Sequence, residues 1–230
     1  MQITWYGHAA FRLDGTNADG APVRVVLDPY RAPDVGTYAP IDDEAEVVAV
    51  SHENERYHSH IAAVRGPGGA APEVVDGLAL LNEAQPKVVA GLPFTAVRVW
   101  ETPEREGEIA MVGVEVEGVR ILHMGDCGHP LTAEEVAACG RVDVLLALAG
   151  AGPTIALPDL RDFVLALRPR LVLPMHYLND KINLKLRPVE EFLALLPETV
   201  PVRHFDTPAI TVTADSLPAA TEVWVLPPAR

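Results

Sequence analysis

Ile121-Leu122-His123-Met124-Gly125-Asp126-Cys127-Gly128-His129-Pro130-Leu131-Thr132 is the stretch on which the reading of this chain turns. Val119-Arg120-Ile121-Leu122 is a short apolar strand, entered through a Glu117-Gly118 turn that marks a hairpin. The apolar run stops at Gly125-Asp126, and Thr132-Ala133-Glu134-Glu135 then forms a capping box that opens a helix. Upstream the chain is written mainly in strands. Downstream, apolar strands alternate with helical spacings.

On the upstream side, Ile3 to Leu13 forms one strand with Gly7-His8 inside it, and Arg24 to Leu27 a second that ends at Asp28-Pro29. Val47 to Val50 is fully apolar and stops at Ser51-His52, and Val88 to Trp100 and Ile109 to Val116 follow. On the downstream side, Val142 to Ala149 is an apolar strand. Leu160, Phe163, Val164 and Leu167 then fall at i, i+3, i+4 and i+7, on one helical face. Arg170 to Met175 is another buried strand, Val189, Phe192, Leu193 and Leu196 repeat the helical spacing, and Ala209 to Thr213 and Glu222 to Leu226 are late strands. Two packed sheets with helices outside satisfy both halves, and residues 1–230 are expected to form a single domain.

Hydrophobic residues make up 49% of the 230 and charged residues 22%, the profile of a soluble globular protein. The net charge of −14 repels phosphate backbones, and no Lys/Arg cluster offsets it, so nucleic acid is not an expected partner. The two cysteines, Cys127 and Cys139, form no Cys-x-x-Cys pair and no disulfide framework. Met1-Gln2-Ile3-Thr4-Trp5 is not expected to open a signal peptide, and no apolar run reaches the roughly 20 residues that cross a bilayer. A cytoplasmic protein that takes a small-molecule substrate or ligand and avoids membranes is the expectation.

Chemistry gathers at strand ends. His52 follows Val47–Val50, Asp126 follows Ile121–Met124 and His176 follows Leu171–Met175. Strand ends in such architectures share one edge, where sites are built. Two imidazoles and a carboxylate converging there suit a zinc-type ion. His123, inside an apolar strand, is expected to be a satisfied buried imidazole, and Cys127 small buried packing.

Taken together, these blocks resemble the metallo-β-lactamase-fold hydrolases, in the branch that opens with Trp-x-Gly-His. Ile3-Thr4-Trp5-Tyr6-Gly7-His8-Ala9-Ala10-Phe11, Leu27-Asp28-Pro29-Tyr30, Val50-Ser51-His52, the Gly125-Asp126 segment, Val142-Asp143-Val144-Leu145-Leu146 and Val172-Leu173-Pro174-Met175-His176-Tyr177 follow that family's order, from residue 1 to about residue 196. The resemblance implies an α/β (α+β) fold, a four-layer αββα sandwich, and a site made of His52, Asp126 and His176 with His8 and His129 at its rim.

The family's signature His-x-His-x-Asp-His is degenerate here. Its place is taken by His52-Glu53-Asn54-Glu55-Arg56-Tyr57, with Asn54 at the second His, Arg56 at the Asp and Tyr57 at the last His. A one-residue insertion would instead bring His58 to the final position. The family's mid-chain His aligns with Glu101. The resemblance thus implies metal ligands drawn from His52, Asn54, His58, Glu101, Asp126 and His176, holding at most one divalent ion (Zn²⁺, or Mn²⁺/Fe²⁺ for so oxygen-rich a set).

Two readings stay open. In one, a single metal activates water, Asp126 orients it, and His176 or Tyr177 assists the leaving group in hydrolysis of an ester, amide or phosphoester bond. In the other there is no metal. Arg56, whose guanidinium has no lone pair to ligate one, pairs with Asp126 or Glu101 in its place, and the fold is a binding or regulatory module.

Overall fold

The strand Val47–Val50 is apolar at every position because both of its faces are buried. Val47 and Ala49 enter a core of 55 buried residues, while Val48 and Val50 enter a second cluster of 13. The same alternation holds in Gln2–Gly7, where Ile3 and Trp5 face the larger core and Tyr6 the smaller, and in Pro22–Leu27, where Val25 and Val26 divide likewise. The computed structural model describes residues 1–230, and no helix in it is long and apolar enough to cross a membrane.

One sheet of six strands runs in the order Ala209–Thr211, Gln2–Gly7, Ala10–Thr16, Pro22–Leu27, Val47–Val50, Glu73–Asp76. The other, of eight, runs Val202–His204, Glu222–Val225, Leu171–Met175, Val144–Leu148, Val119–His123, Glu108–Val116, Leu92–Trp100, Lys87–Val89. In each sheet antiparallel hairpins give way to parallel strands: Pro22–Leu27 pairs parallel with Val47–Val50, and Val119–His123 with Val144–Leu148. The large core contains inward residues of both sheets, from Trp5 and Phe11 to Met111, Ile121 and Leu146.

The helices Ala133–Ala138, Leu157–Leu167 and Val189–Leu193 touch one another in series. The first rests on Leu92–Trp100, with Thr132 and Glu135 making the anticipated capping box. Leu157–Leu167 buries Leu157, Leu160, Phe163 and Val164, the face that the spacing indicates. The sandwich is of the expected class. Beneath the first sheet, though, Tyr30, Val35, Tyr38, Ile41 and Ala45 of irregular chain, with Val64 of the short strand Val64–Arg65, form the outer layer in place of helices.

Two strands read as continuous are hairpins. Ile3 to Leu13 is broken at Gly7-His8, with φ of 121° and 50°, into Gln2–Gly7 and Ala10–Thr16. The aromatic ring of Tyr38 lies 2.4 Å from where a Cβ on Gly7 would sit, so position 7 admits no side chain. Val88 to Trp100 is broken at Ala90-Gly91, whose φ values of 48° and 76° make a tight primed turn.

Away from the strand ends, Tyr6, Arg12 and Arg230 converge on Asp43. Tyr6 Oη donates to its carboxylate, and the two guanidinium groups lie 3.5 and 2.9 Å away. Burial alone would raise the Asp43 carboxyl, but the Tyr6 hydrogen bond and Arg230 outweigh it and hold the carboxyl below its ordinary range. A depressed carboxyl contributes stability that is present above the unfolded pKa of about 4 and lost as pH falls through the folded value. Asp43→Asn is therefore expected to cost about 1–2 kcal/mol at pH 7, with the gap to the parent closing toward pH 3. Urea unfolding at the two pH values measures it, and a gap unchanged by pH would contradict the assignment.

Candidate metal centre

Asp28, at the end of Pro22–Leu27, organises the polar cluster at the common edge of the two sheets. It is 1% exposed and accepts three hydrogen bonds: from Ser51 N at 2.7 Å, Ser51 Oγ at 2.6 Å and His58 Nδ1 at 2.8 Å. These bonds place a proton on Nδ1 of two imidazoles. Because the single hydroxyl proton of Ser51 is given to Asp28, the 2.9 Å contact between Ser51 Oγ and His52 Nδ1 must be donated by the imidazole. His52 Nε2 is then a lone pair, buried and without a partner. His58, donating from Nδ1, turns its Nε2 to Asp126 Oδ2 at 2.8 Å.

His52, His58 and Asp126 each offer a ligand atom, and the three atoms lie within 4.8 Å of one another. Glu101 Oε1 stands 3.5 Å from His52 Nε2, and His176 Nε2 stands 3.9 Å from Asp126 Oδ1, an oxygen that is itself unpartnered. The orphaned His52 Nε2 and Asp126 Oδ1 converge beside a His58 imidazole backed by Asp28, a set that fits a divalent metal ion taking the place of the His58 Nε2 proton. In such a frame His52, His58 and Asp126 would hold it, with Glu101 next in reach.

Electrostatics follow from this crowding. Burial opposes a charged His58, yet Asp126 and Asp28 outweigh it and hold the imidazole well above its ordinary value. Burial would raise Asp126, but His58, helped by His176 and His8, holds it well below the carboxylate range. His52 is lowered by burial and by the neighbouring His58, and His176 is lowered by burial in spite of Asp126. Glu101, at the more open side, is raised by burial and by Asp126.

Backbone conformation brings these groups close. Gly125 turns with φ of 58°, donates its N–H to His123 Nδ1 at 2.9 Å, and lies where a Cβ would stand 2.9 Å from Ser51 Cβ. His123 must then carry its proton on Nε2, which donates to Ala9 O at 2.7 Å, the satisfied imidazole that its apolar strand suggests. Cys127 is buried, and burial pushes its thiol up to about 12, so packing is its role.

Several expected residues are placed otherwise. Arg56 is exposed and pairs with neither Asp126 nor Glu101; Asp126 meets His58 instead. The cause is a turn in which Asn54 O accepts from Tyr57 N, His58 N and Ser59 N, which rotates position 58 inward and position 56 outward. Asn54 thus acts through its backbone, and its amide makes no hydrogen bond to the cluster. Tyr177 is not placed to assist a leaving group, because its hydroxyl donates to Leu226 O at 3.1 Å and its ring packs on Trp5. His129 donates from Nδ1 to Pro130 O and lies against Trp100, with ring centroids 5.6 Å apart. His8 faces His176 and His58, with ring centroids at 4.6 and 5.1 Å. A separate cleft of about 150 Å³ between Thr95, Val97, Arg120 and Cys139 includes none of these residues.

Sequence reasoning missed Asp28 and Ser51 as members of the site. The signal was present, since Asp28 ends a strand at the same edge as His52, Asp126 and His176.

Residues 2–176 match the family pattern described as the beta-lactamase superfamily domain. A UPF0173 protein of Pyrococcus furiosus is 28% identical over 187 residues, covering 77% of this chain and 83% of its own. A UPF0173 metal-dependent hydrolase of Archaeoglobus fulgidus is 24% identical over 200 residues, with shares of 77% and 83%. A crystal structure from Thermotoga maritima, assigned as a Zn-dependent hydrolase of the metallo-β-lactamase superfamily, superposes with a TM-score of 0.71 at 24% identity, over 98% of this chain and 97% of that one. The matched span takes in every residue of the cluster, from His8 to His176, and the chain accordingly belongs to the β-lactamase superfamily and carries the metallo-β-lactamase fold.

Proposed function

We propose that the chain is a metal-dependent hydrolase that holds one divalent ion between His52, His58 and Asp126, with Glu101 as a further ligand, and cleaves an ester, amide or phosphoester bond of a small molecule. The observation that carries this reading is the preset pair of imidazoles. Asp28 and Ser51 take up both Nδ1 protons, which leaves His52 Nε2 bare and His58 Nε2 turned to Asp126, in a group whose ligand atoms lie within 4.8 Å of one another. The relatives described as metal-dependent hydrolases support it. A bound divalent ion supplies Lewis acidity, polarising a carbonyl or phosphoryl oxygen and making water a better nucleophile. The chain's own part is to fix the ligand tautomers through Asp28, to hold Asp126 ionised, and to keep His52 neutral. Two imidazoles with two carboxylates form an oxygen-rich set that suits Mn²⁺ or Fe²⁺ as well as Zn²⁺.

The metal-free alternative required Arg56 to neutralise the site carboxylates, and Arg56 reaches neither of them.

Elemental analysis of untagged protein purified without chelators tests the proposal. About one equivalent of metal is expected in the parent and well under a tenth of that in His52→Ala and His58→Ala. Parent protein that stays empty after incubation with Zn²⁺, Mn²⁺ and Fe²⁺ would sink it.

A further inference from the structure

We propose that His8 is a substrate-binding residue, donating its N–H to a carbonyl or phosphoryl oxygen of the group held beside the metal ligands. This rests on the hydrolase reading above and adds to it a contact that the metal does not make.

His8 is the first residue of the two-residue loop between Gly7 and Ala10, and it adopts the positive φ, 50°, that such a tight hairpin turn uses. Its carbonyl accepts both Trp5 Nε1 at 3.1 Å and His176 N at 3.0 Å, the second bond stitching the first sheet to the second at the site edge. His176 is itself left-handed, with φ of 53°. The hairpin turn and the bond from His176 N together bring this ring to the cluster.

Once there, the ring packs against Tyr57, His58 and His176 but makes no hydrogen bond. His8 is 1% exposed, yet neither Nδ1 nor Nε2 has a hydrogen-bond partner. A buried donor and acceptor left unmade are costly, and folded proteins satisfy nearly all such groups. His8 also stands outside the compact group of His52, His58 and Asp126, although its ring centroid is 5.1 Å from that of His58 and 4.6 Å from that of His176. Beside the ion and not among its tightest donors is where an oxygen of a bound substrate would lie. A neutral imidazole presents one N–H to such an oxygen.

The test uses Mn²⁺-loaded parent, His8→Phe and His8→Asn. Phenylalanine keeps the ring and removes the donor; asparagine keeps a donor and tolerates a left-handed backbone. Manganese content is measured first, then binding of acetate and of inorganic phosphate by calorimetry, then hydrolysis of 4-nitrophenyl acetate and bis(4-nitrophenyl) phosphate. All three proteins are expected to hold the same metal. One anion is expected to bind His8→Phe about 10- to 100-fold more weakly than the parent, with His8→Asn between them. Preference for acetate identifies an acyl substrate, and preference for phosphate a phosphoester. Equal binding by parent and His8→Phe, no binding of either anion to the parent, or loss of manganese from His8→Phe each overturns the assignment. Failure of the parent to hydrolyse either ester while His8-dependent anion binding persists would sink the hydrolase reading alone.

Discussion

Asp28→Asn is expected to bind its divalent ion about 10- to 100-fold more weakly than the parent, although residue 28 is not itself a ligand. Three donors point at this one carboxylate: Ser51 N, Ser51 Oγ and His58 Nδ1. An asparagine can accept on one atom only, and its amide protons would meet a donor. The hydroxyl proton of Ser51 would then be free to turn toward His52 Nδ1, and that imidazole could carry its proton on Nε2, the atom that must be bare to hold a metal. One substitution therefore disturbs both imidazole ligands.

The same change removes one of two carboxylates flanking a fully buried His58. Breaking a buried ionic contact costs about 3–5 kcal/mol, and the lower end applies here because His58 keeps Asp126. Calorimetric titration with Mn²⁺ gives the affinity, and urea unfolding in the presence of a chelator gives the stability. Ser51→Ala, which removes one donor and leaves the carboxylate, is expected to lose only about 1 kcal/mol. If Asp28→Asn binds Mn²⁺ as tightly as the parent, the tautomer argument is wrong.

Asp28 also shows what the sequence made legible. Short apolar runs locate strand ends well, because burial on both faces demands uninterrupted hydrophobicity, and strand ends bring His52, Asp126 and His176 to one edge. Asp28 obeys the same rule, but in sequence it marks only the close of a strand. His58 was legible only as an option, since Glu53 to Ser59 has no periodicity and its register depends on three N–H groups gathering on Asn54 O. In sequence Tyr57 stands where the family has its last His, a place that the wound chain gives to His58, while Arg56 turns outward.

Other misreadings have similarly local causes. Apolar alternation runs unbroken through Trp5, Ala9 and Phe11, so nothing but the positive φ of Gly7 and His8 discloses the hairpin. Tyr177 adjoins His176 in sequence, but its hydroxyl goes to Leu226 O, away from the cluster's donors. The irregular layer beneath the first sheet has no repeat to reveal it. Its Tyr30, Val35, Tyr38 and Ile41 pack as single residues from a wandering chain.

Gly128→Ala should be the most damaging single methyl in the molecule. Its backbone N–H donates to Trp100 O at 2.8 Å, pressing the segment after Asp126 against the end of Leu92–Trp100. A Cβ on Gly128 would stand 1.6 Å from Glu101 O and 2.3 Å from Glu101 C. Both atoms are main chain, so no side-chain rotation relieves the clash, and one of the two segments must move by more than an ångström. Overpacking that a core can absorb costs about 1–3 kcal/mol; this one cannot be absorbed and is expected to exceed about 4 kcal/mol. Gly20→Ala sets the scale for strain alone: φ there is +77° and no atom lies within 4 Å, so a loss of about 1–2 kcal/mol is expected. Urea unfolding of the two variants separates the effects. Should enough folded Gly128→Ala survive, Glu101 will have been displaced from its 3.5 Å approach to His52 while Asp28, Ser51 and His58 stay in place. Its metal affinity would then report what Glu101 contributes as a ligand. A Gly128→Ala protein within about 1 kcal/mol of the parent would mean that the two segments are not pressed together, and Glu101 would lose its placement at the centre.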